Sequence, residues 1–279
     1  MKKFIVSVAA VLAAGSLFAQ DTTSQKVDTI KVGNFTIIKK NKARSEHSSY
    51  DTTKDDNGNV IRISNRKRRK HSSINYGILD IGFANWRDET DYTQAVASGY
   101  LVNPAGKSDL KLRTGKTSNV NLWFFMQKIN IAKHVLNLKY GLGLEMYNFR
   151  YESNISYHKT PAYIFRDTVS FEKNKLYAGY LTVPFMLNVN TMPDRKKGFS
   201  FSAGLSAGYL VGSHTKQVSD SRGKQKVKGD FDLDKWRVAA IGELGLGPVR
   251  IYGSYSFNAL HERGLKQFPY AVGFRLSNW

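Results

Sequence analysis

The chain contains no cysteine, which excludes disulfides, thiol chemistry and Cys-ligated metal sites. Beyond Gln20 it has no apolar run approaching the ~18 residues that a transmembrane helix needs. Acidic residues are scarce: 22 Asp and Glu stand against 42 Lys and Arg, a formal net charge of +20. The histidines (His47, His71, His134, His158, His214 and His261) show neither HxxxH nor HExxH spacing, so no metal site is expected. No glycine-rich phosphate cradle stands at a strand-to-helix join, and the glycines read as turn residues or small residues on one strand face. No cofactor is expected.

What is present is alternation. The segment GFSFSAGLSAGYLVG (198–212) places Phe199, Phe201, Ala203, Leu205, Ala207, Tyr209 and Val211 at odd positions. Serine and glycine fill the even ones. The preceding segment, KLYAGYLTVPFMLNVN (175–190), alternates Leu181, Val183, Phe185, Leu187 and Val189 against Tyr180, Thr182, Pro184 and Asn188. A period of two puts each set on one face of a strand. One face is bulky and apolar while the other is small and polar, which is the arrangement of a transmembrane β-barrel strand with lipid outside and a narrow lumen inside.

The first residues, MKKFIVSVAAVLAAGSLFAQ, combine Lys2-Lys3, an apolar core from Phe4 to Leu17 and small residues before a cut after Ala19. They predict a secretory signal peptide over 1–19. In a cytosolic protein so basic a balance would suggest nucleic acid. An exported chain does not meet it; its natural counter-surfaces are outer-membrane lipids and the phosphates of lipopolysaccharide. Residues 20–73 are polar and irregular, with β-like pieces at 29–39 and 60–64 around a DDNGN turn signal. They hold too few large apolar residues for a core of their own and predict a poorly structured periplasmic extension. Its basic block from Arg66 to Lys70 is a solvated charge run or a surface for a periplasmic partner.

From Ile74 the pattern predicts an all-β domain over 74–279, an eight-stranded antiparallel transmembrane β-barrel. The strands are expected at 74–86, 118–131, 134–151, 175–190, 198–212, 234–246, 249–258 and 268–279. The joins at Ala132-Lys133, Pro193-Asp194 and Gly247-Pro248 are tight, whereas those at 87–117, 152–174, 213–233 and 259–267 are long and polar. Short turns on one side and long loops on the other put the first set in the periplasm and the second outside. With Gly247-Pro248 as a two-residue turn, Leu246 should oppose Val249 and Leu244 oppose Ile251. Trp123 and Phe125 both fall on the luminal face, and Gly143→Ser should be tolerated there.

The luminal face then receives Asp80, Lys139, Glu145, Arg237, Glu243, Arg250 and Arg275, a structural charge network that must pair within a narrow space. Glu243 and Arg250 should meet diagonally across their hairpin, and Asp80 and Arg275 across the closing seam. The loop after 212 carries Lys216, Arg222, Lys224, Lys226 and Lys228, an anion-contacting set if it is more than solvated charge. The last strand, FPYAVGFRLSNW, ends on an aromatic and matches the kind of signal read by barrel-insertion machinery.

The segment YLTVPFMLNVN (180–190) resembles the Y-L-x-I-P-L-L-L-K strand of the PorT-like outer-membrane β-barrel proteins of the Bacteroidetes type. GLSAGYLVGSHTK (204–216) resembles that family's following strand, and DTIKVGNFTIIKK its N-terminal preface. Val183-Pro184-Phe185 replaces Ile-Pro-Leu, and Asn188 stands where a basic residue is usual. The resemblance implies an eight-stranded outer-membrane barrel. Function is expected to be non-enzymatic, as an envelope scaffold or an interaction or secretion accessory with its lumen plugged by side chains. The alternative is a small lipid-modifying enzyme using loop residues such as His158 with Ser153 or Ser156, or His214 with Ser213.

Overall fold

The computed structural model describes residues 29–32, 35–38, 48–54, 60–67, 70–102, 105–192, 198–247 and 249–277, with side chains from Lys70 onward. The chain divides into two compact units, 1–68 and 69–279. In the first, β1 (Thr29–Val32) pairs with β2 (Phe35–Ile38), and β3 (Ser48–Lys54) with β4 (Val60–Lys67), both antiparallel. The expected extension thus holds two hairpins. The expected signal peptide, Arg68-Arg69 of the basic block and the Pro193-Asp194 turn lie outside the described residues, as do the last two residues, Asn278 and Trp279.

The second unit contains β5 (Ser72–Asp88), α1 (Tyr92–Ala97), β6 (Leu101–Val102), β7 (Ser118–Ala132) and β8 (Leu136–Arg150). It continues with β9 (Ile155–Lys159), β10 (Ala162–Arg166), β11 (Lys173–Asn190), β12 (Phe199–Ser219) and β13 (Gly223–Lys228). β14 (Trp236–Leu246), β15 (Val249–Ser256) and β16 (Gln267–Leu276) complete it. Strands β5, β7, β8, β11, β12, β14, β15 and β16 pair antiparallel with their sequence neighbours, and β16 pairs back onto β5. The ring is closed, so no strand edge in it lacks a partner.

Burial is inverted relative to a soluble protein. Asp80 is 0 % exposed, and Lys139, Glu145 and Glu243 are equally sealed, whereas Leu205 is 54 % and Phe274 59 % exposed. On β8 every second residue from Asn137 to Phe149 is buried, with the leucines between them facing out. That apolar wall only makes sense against lipid. Exposed Tyr209 and Trp236 meet edge to face at 5.0 Å near the long-loop end, and exposed Tyr76 and Phe199 lie toward the other, as aromatic girdles do.

Leu246 opposes Val249 and Leu244 opposes Ile251 as the turn chemistry required. Three details depart from expectation. Trp123 is luminal but Phe125 is not: the register slips between them, so Phe124 bulges out, Phe125 turns outward and Met126 is buried. The first short turn is centred on Lys133-His134, one residue later than expected, and both have positive φ (46° and 58°). With Val135 N donating to Ala132 O at 2.9 Å this is a type I′ turn, whose twist suits a hairpin. The segment after 212 is no irregular loop: β12 runs on past a bulge at Val211 and folds back as β13.

A further correction concerns the glycines. A Cβ at Gly143 would lie 2.6 Å from Leu122 O and 2.7 Å from the Trp123 ring, so the indole sits where a side chain would go. Gly143→Ser is therefore not tolerated. We expect Gly143→Ala to cost about 1–3 kcal/mol through overpacking, while Gly242→Ala, whose nearest neighbour would be 3.7 Å away, stays near neutral. Leu205→Arg on the lipid face should cost ~2–4 kcal/mol. Urea unfolding of the three variants in lipid vesicles checks the ranking, and a tolerated Leu205→Arg would overturn the face assignment.

Candidate functional site

Strand parity aims the charged residues at one another. Asp80 on β5 and Arg275 on β16 are directly opposite across the seam. Arg275 Nε and Nη2 donate to the two Asp80 oxygens, each at 2.7 Å. Trp123 Nε1 donates to the same carboxylate at 2.7 Å and Asn121 Nδ2 at 3.3 Å. Arg275 Nη1 reaches on to Glu243 at 2.5 Å. Glu243 also accepts from Lys139 at 2.7 Å and from Arg250 at 2.9 Å. Higher in the lumen Arg237 donates to Glu145 at 2.6 Å and lies 5.0 Å from the Tyr147 ring centre.

All seven residues proposed for the network are thus joined, in two clusters. β8 and β14 are three strands apart one way round the ring and five the other, so Lys139–Glu243 and Arg237–Glu145 reach across the lumen. Between the clusters the cavity bounded by Trp123, Glu145, Met186, Ile241, Tyr252 and Arg275 is about 10 Å³, room for about one water. Sequence reasoning missed Lys128, which stands directly opposite Lys139; the bulge at Phe124 shifts its parity. It also missed two neutral polar contacts near opposite ends of the β7–β8 pair, Tyr252 donating to Asn119 at 2.7 Å and Asn137 to Asn188 at 3.2 Å.

Above the network the lumen turns apolar. Trp86, Tyr147, Phe149, Leu176 and Tyr180 at the upper wall continue into Tyr100, Ile155, Ile164, Phe231, Leu260 and Leu265 of the long loops as one buried cluster. β6, β10 and β9 form a small three-stranded sheet within this cap. A groove of about 950 Å³ opens on it, lined by Asp91, Tyr100, Tyr163, His261, Arg263 and Lys266 among others. His261 is 3 % exposed and neither ring nitrogen has a partner; burial drives its pKa down to about 3, so the imidazole is neutral.

The Ser–His pairings considered for an enzyme do not form. Ser156 Oγ donates to Asp167 at 3.0 Å, and His158 Nδ1 meets the Pro161 carbonyl at 2.8 Å. Ser213 donates to the Gly229 carbonyl, and His214 stacks on Tyr177 at 4.6 Å. Of the basic set, Lys216, Lys224, Lys226 and Lys228 share the β12–β13 ribbon. Arg222 stands apart at the tip of the ribbon, paired to Asp167 at 2.9 Å.

Glu243 holds three cations, so its removal strands them together. We expect Glu243→Gln to cost about 3–5 kcal/mol, with part of the loss recovered in a Glu243→Gln/Lys139→Met double variant. Urea unfolding of the refolded barrel in lipid vesicles measures both; a single variant as stable as wild type would contradict the network's role.

Residues 104–262 match the family model described as outer membrane protein beta-barrel domain. Among solved structures, the crystal structure of Ail, the attachment invasion locus protein of Yersinia pestis, is 16 % identical, with 72 % of this chain and 99 % of that one covered and a TM-score of 0.30. No curated protein matches. With more than half its length under that model, a closed ring of eight strands and an apolar outer wall, the chain belongs to the outer membrane protein beta-barrel domain family.

Proposed function

We propose that this outer-membrane barrel is non-enzymatic, a PorT-like envelope scaffold or secretion accessory that works through its surfaces and not through a pore. The observation that supports this most is the lumen itself. Ion pairs cross it from wall to wall, its internal cavity holds about one water, and an apolar cap closes the long-loop mouth. An eight-stranded barrel is just wide enough for side chains to fill. Interaction must then occur on the cap, on the outer wall or at the periplasmic end, where the basic block from Arg66 to Lys70 offers a surface to an acidic partner. The C-terminal strand serves the insertion machinery, and the long loops face outside the cell.

The lipid-modifying alternative has one observation in its favour, the neutral His261 in a large groove. Against it, His158, His214 and His261 make no hydrogen bond to a serine or a carboxylate among the described residues. Lipid A and phospholipid mass spectra from cells carrying alanine at all three positions should match wild type; a lost modified species would favour the enzyme.

The purified barrel in a planar bilayer should show no steady ohmic conductance. Conductance of porin size would sink the plugged lumen, and with it the surface reading.

A further inference from the structure

The outer wall above the membrane carries a row of cations that the separate lysines in the sequence do not announce. Arg150 on β8 is directly opposite Lys175 on β11, Lys175 opposite Lys216 on β12, and Lys216 opposite Lys226 on β13. Residues directly opposite share a face at neighbouring-strand distance, about 5 Å. Asn174 and Leu176, which flank Lys175, are buried, so the row faces away from the lumen. On the next rung up Lys173 and Lys224 flank Val218, and on the rung below Lys228 stands beside His214. No acidic side chain forms a salt bridge with Lys175, Lys216 or Lys226 among the described residues; Lys175 donates to Asn148, at 2.6 Å.

Like charges directly opposite one another destabilise a sheet, and here they recur across four adjacent strands. A protein-internal anion does not relieve them, which points to an external one. Its depth says which. The last apolar rung on this wall is Met146 beside Gly179. The cationic rung lies two rungs above, roughly 13 Å along a strand, or on the order of 10 Å above the hydrocarbon at the usual tilt. An ordinary headgroup layer is only about 5–7 Å thick. Phosphates borne on the sugars of a glycolipid reach that height beside the wall.

We propose that Arg150, Lys175, Lys216 and Lys226 form a binding site for the sugar-borne phosphates of an outer-leaflet glycolipid of the lipid A type. Adjacent cations about 5 Å apart suit two oxygens of one phosphate, and the His214–Tyr177 stack one rung lower gives the saccharide an aromatic floor. The site extends beyond the β12–β13 ribbon to β8 and β11, and it excludes Arg222. It rests on the placement of the long loops outside the cell.

The full chain refolded in detergent micelles would be titrated with fluorescent bisphosphorylated lipid A and with its dephosphorylated form. At about fivefold per lysine near an anionic surface, Lys175→Gln/Lys216→Gln/Lys226→Gln should bind the phosphorylated lipid roughly a hundredfold more weakly. A Lys107→Gln/Lys116→Gln control should match wild type. Equal affinity of wild type for both lipids, or full affinity in the triple variant, would overturn the site. Displacement of the lipid by an equal concentration of inorganic pyrophosphate would also overturn it, in favour of a soluble phosphate ligand. In lipid-free micelles the triple variant should melt no lower than wild type, since repulsion is being removed; a lower melting point would make the row merely structural. Because the chain has no cysteine, a single Lys224→Cys, outside the four-residue site, tests topology separately. Labelling by an impermeant maleimide on intact cells supports the outside placement, and its failure with lipid binding intact would reject the placement alone.

Discussion

One carboxylate holds the interior together. Glu243 accepts from Lys139, Arg250 and Arg275 inside the barrel. A buried charge without a partner costs several kcal/mol, so these pairs follow from closing eight strands around charged residues. Through Arg275 the cluster extends to Asp80, and the β5–β16 seam is thereby locked by two parallel hydrogen bonds. The first and last strands of the ring are thus joined by the same group of side chains that ties β8 to β14 across the lumen. Aromatic faces complete the arrangement: Trp123 lies 5.5 Å from the Arg275 guanidinium, Tyr147 5.0 Å from that of Arg237.

Room for the network is made by glycine. Gly82 and Gly273 face each other across the seam, and a Cβ on either would come within 3 Å of the other's backbone. The Tyr252 hydroxyl occupies the space this leaves and reaches Asn119 on β7. The lower barrel is therefore largely polar inside, its ion pairs and hydrogen bonds packed against a small apolar cluster of Ile78, Trp123, Met126 and Met186. The upper barrel and cap follow the opposite rule, with Phe149, Leu176, Ile155 and Ile164 fully buried in an apolar cluster. The long loops are held by that cluster and are a continuation of the fold.

Periodicity made the barrel legible, because a strand between lipid and lumen must alternate, and away from the bulges the eight strands do. Face and partner followed from parity for Asp80, Arg275, Glu243 and Arg250. Where a bulge inserts a residue, parity flips without a trace in composition: Phe125 turns outward, Lys128 turns inward, and β12 continues past Val211 with its faces exchanged. The register between loop ribbons was illegible for a different reason. Lys175, Lys216 and Lys226 are brought into line by strand pairings that no local pattern encodes. Gly143 was misread because the indole it accommodates belongs to the neighbouring strand.

Cations in this chain meet two fates, and parity decides which. Lys139, Arg237 and Arg275 point inward and are almost fully buried, so their acids come from other strands of the fold. Lys175, Lys216 and Lys226 lie on the opposite, outward parity, where none of them pairs with an acid among the described residues. The inward cations are bound up with Asp80, Glu145 and Glu243, and the lysines of the row on the β11–β12–β13 wall form no salt bridge with an acid among the described residues. The same residue type contributes internal cohesion on one face and, on the other, an outward row of positive charge.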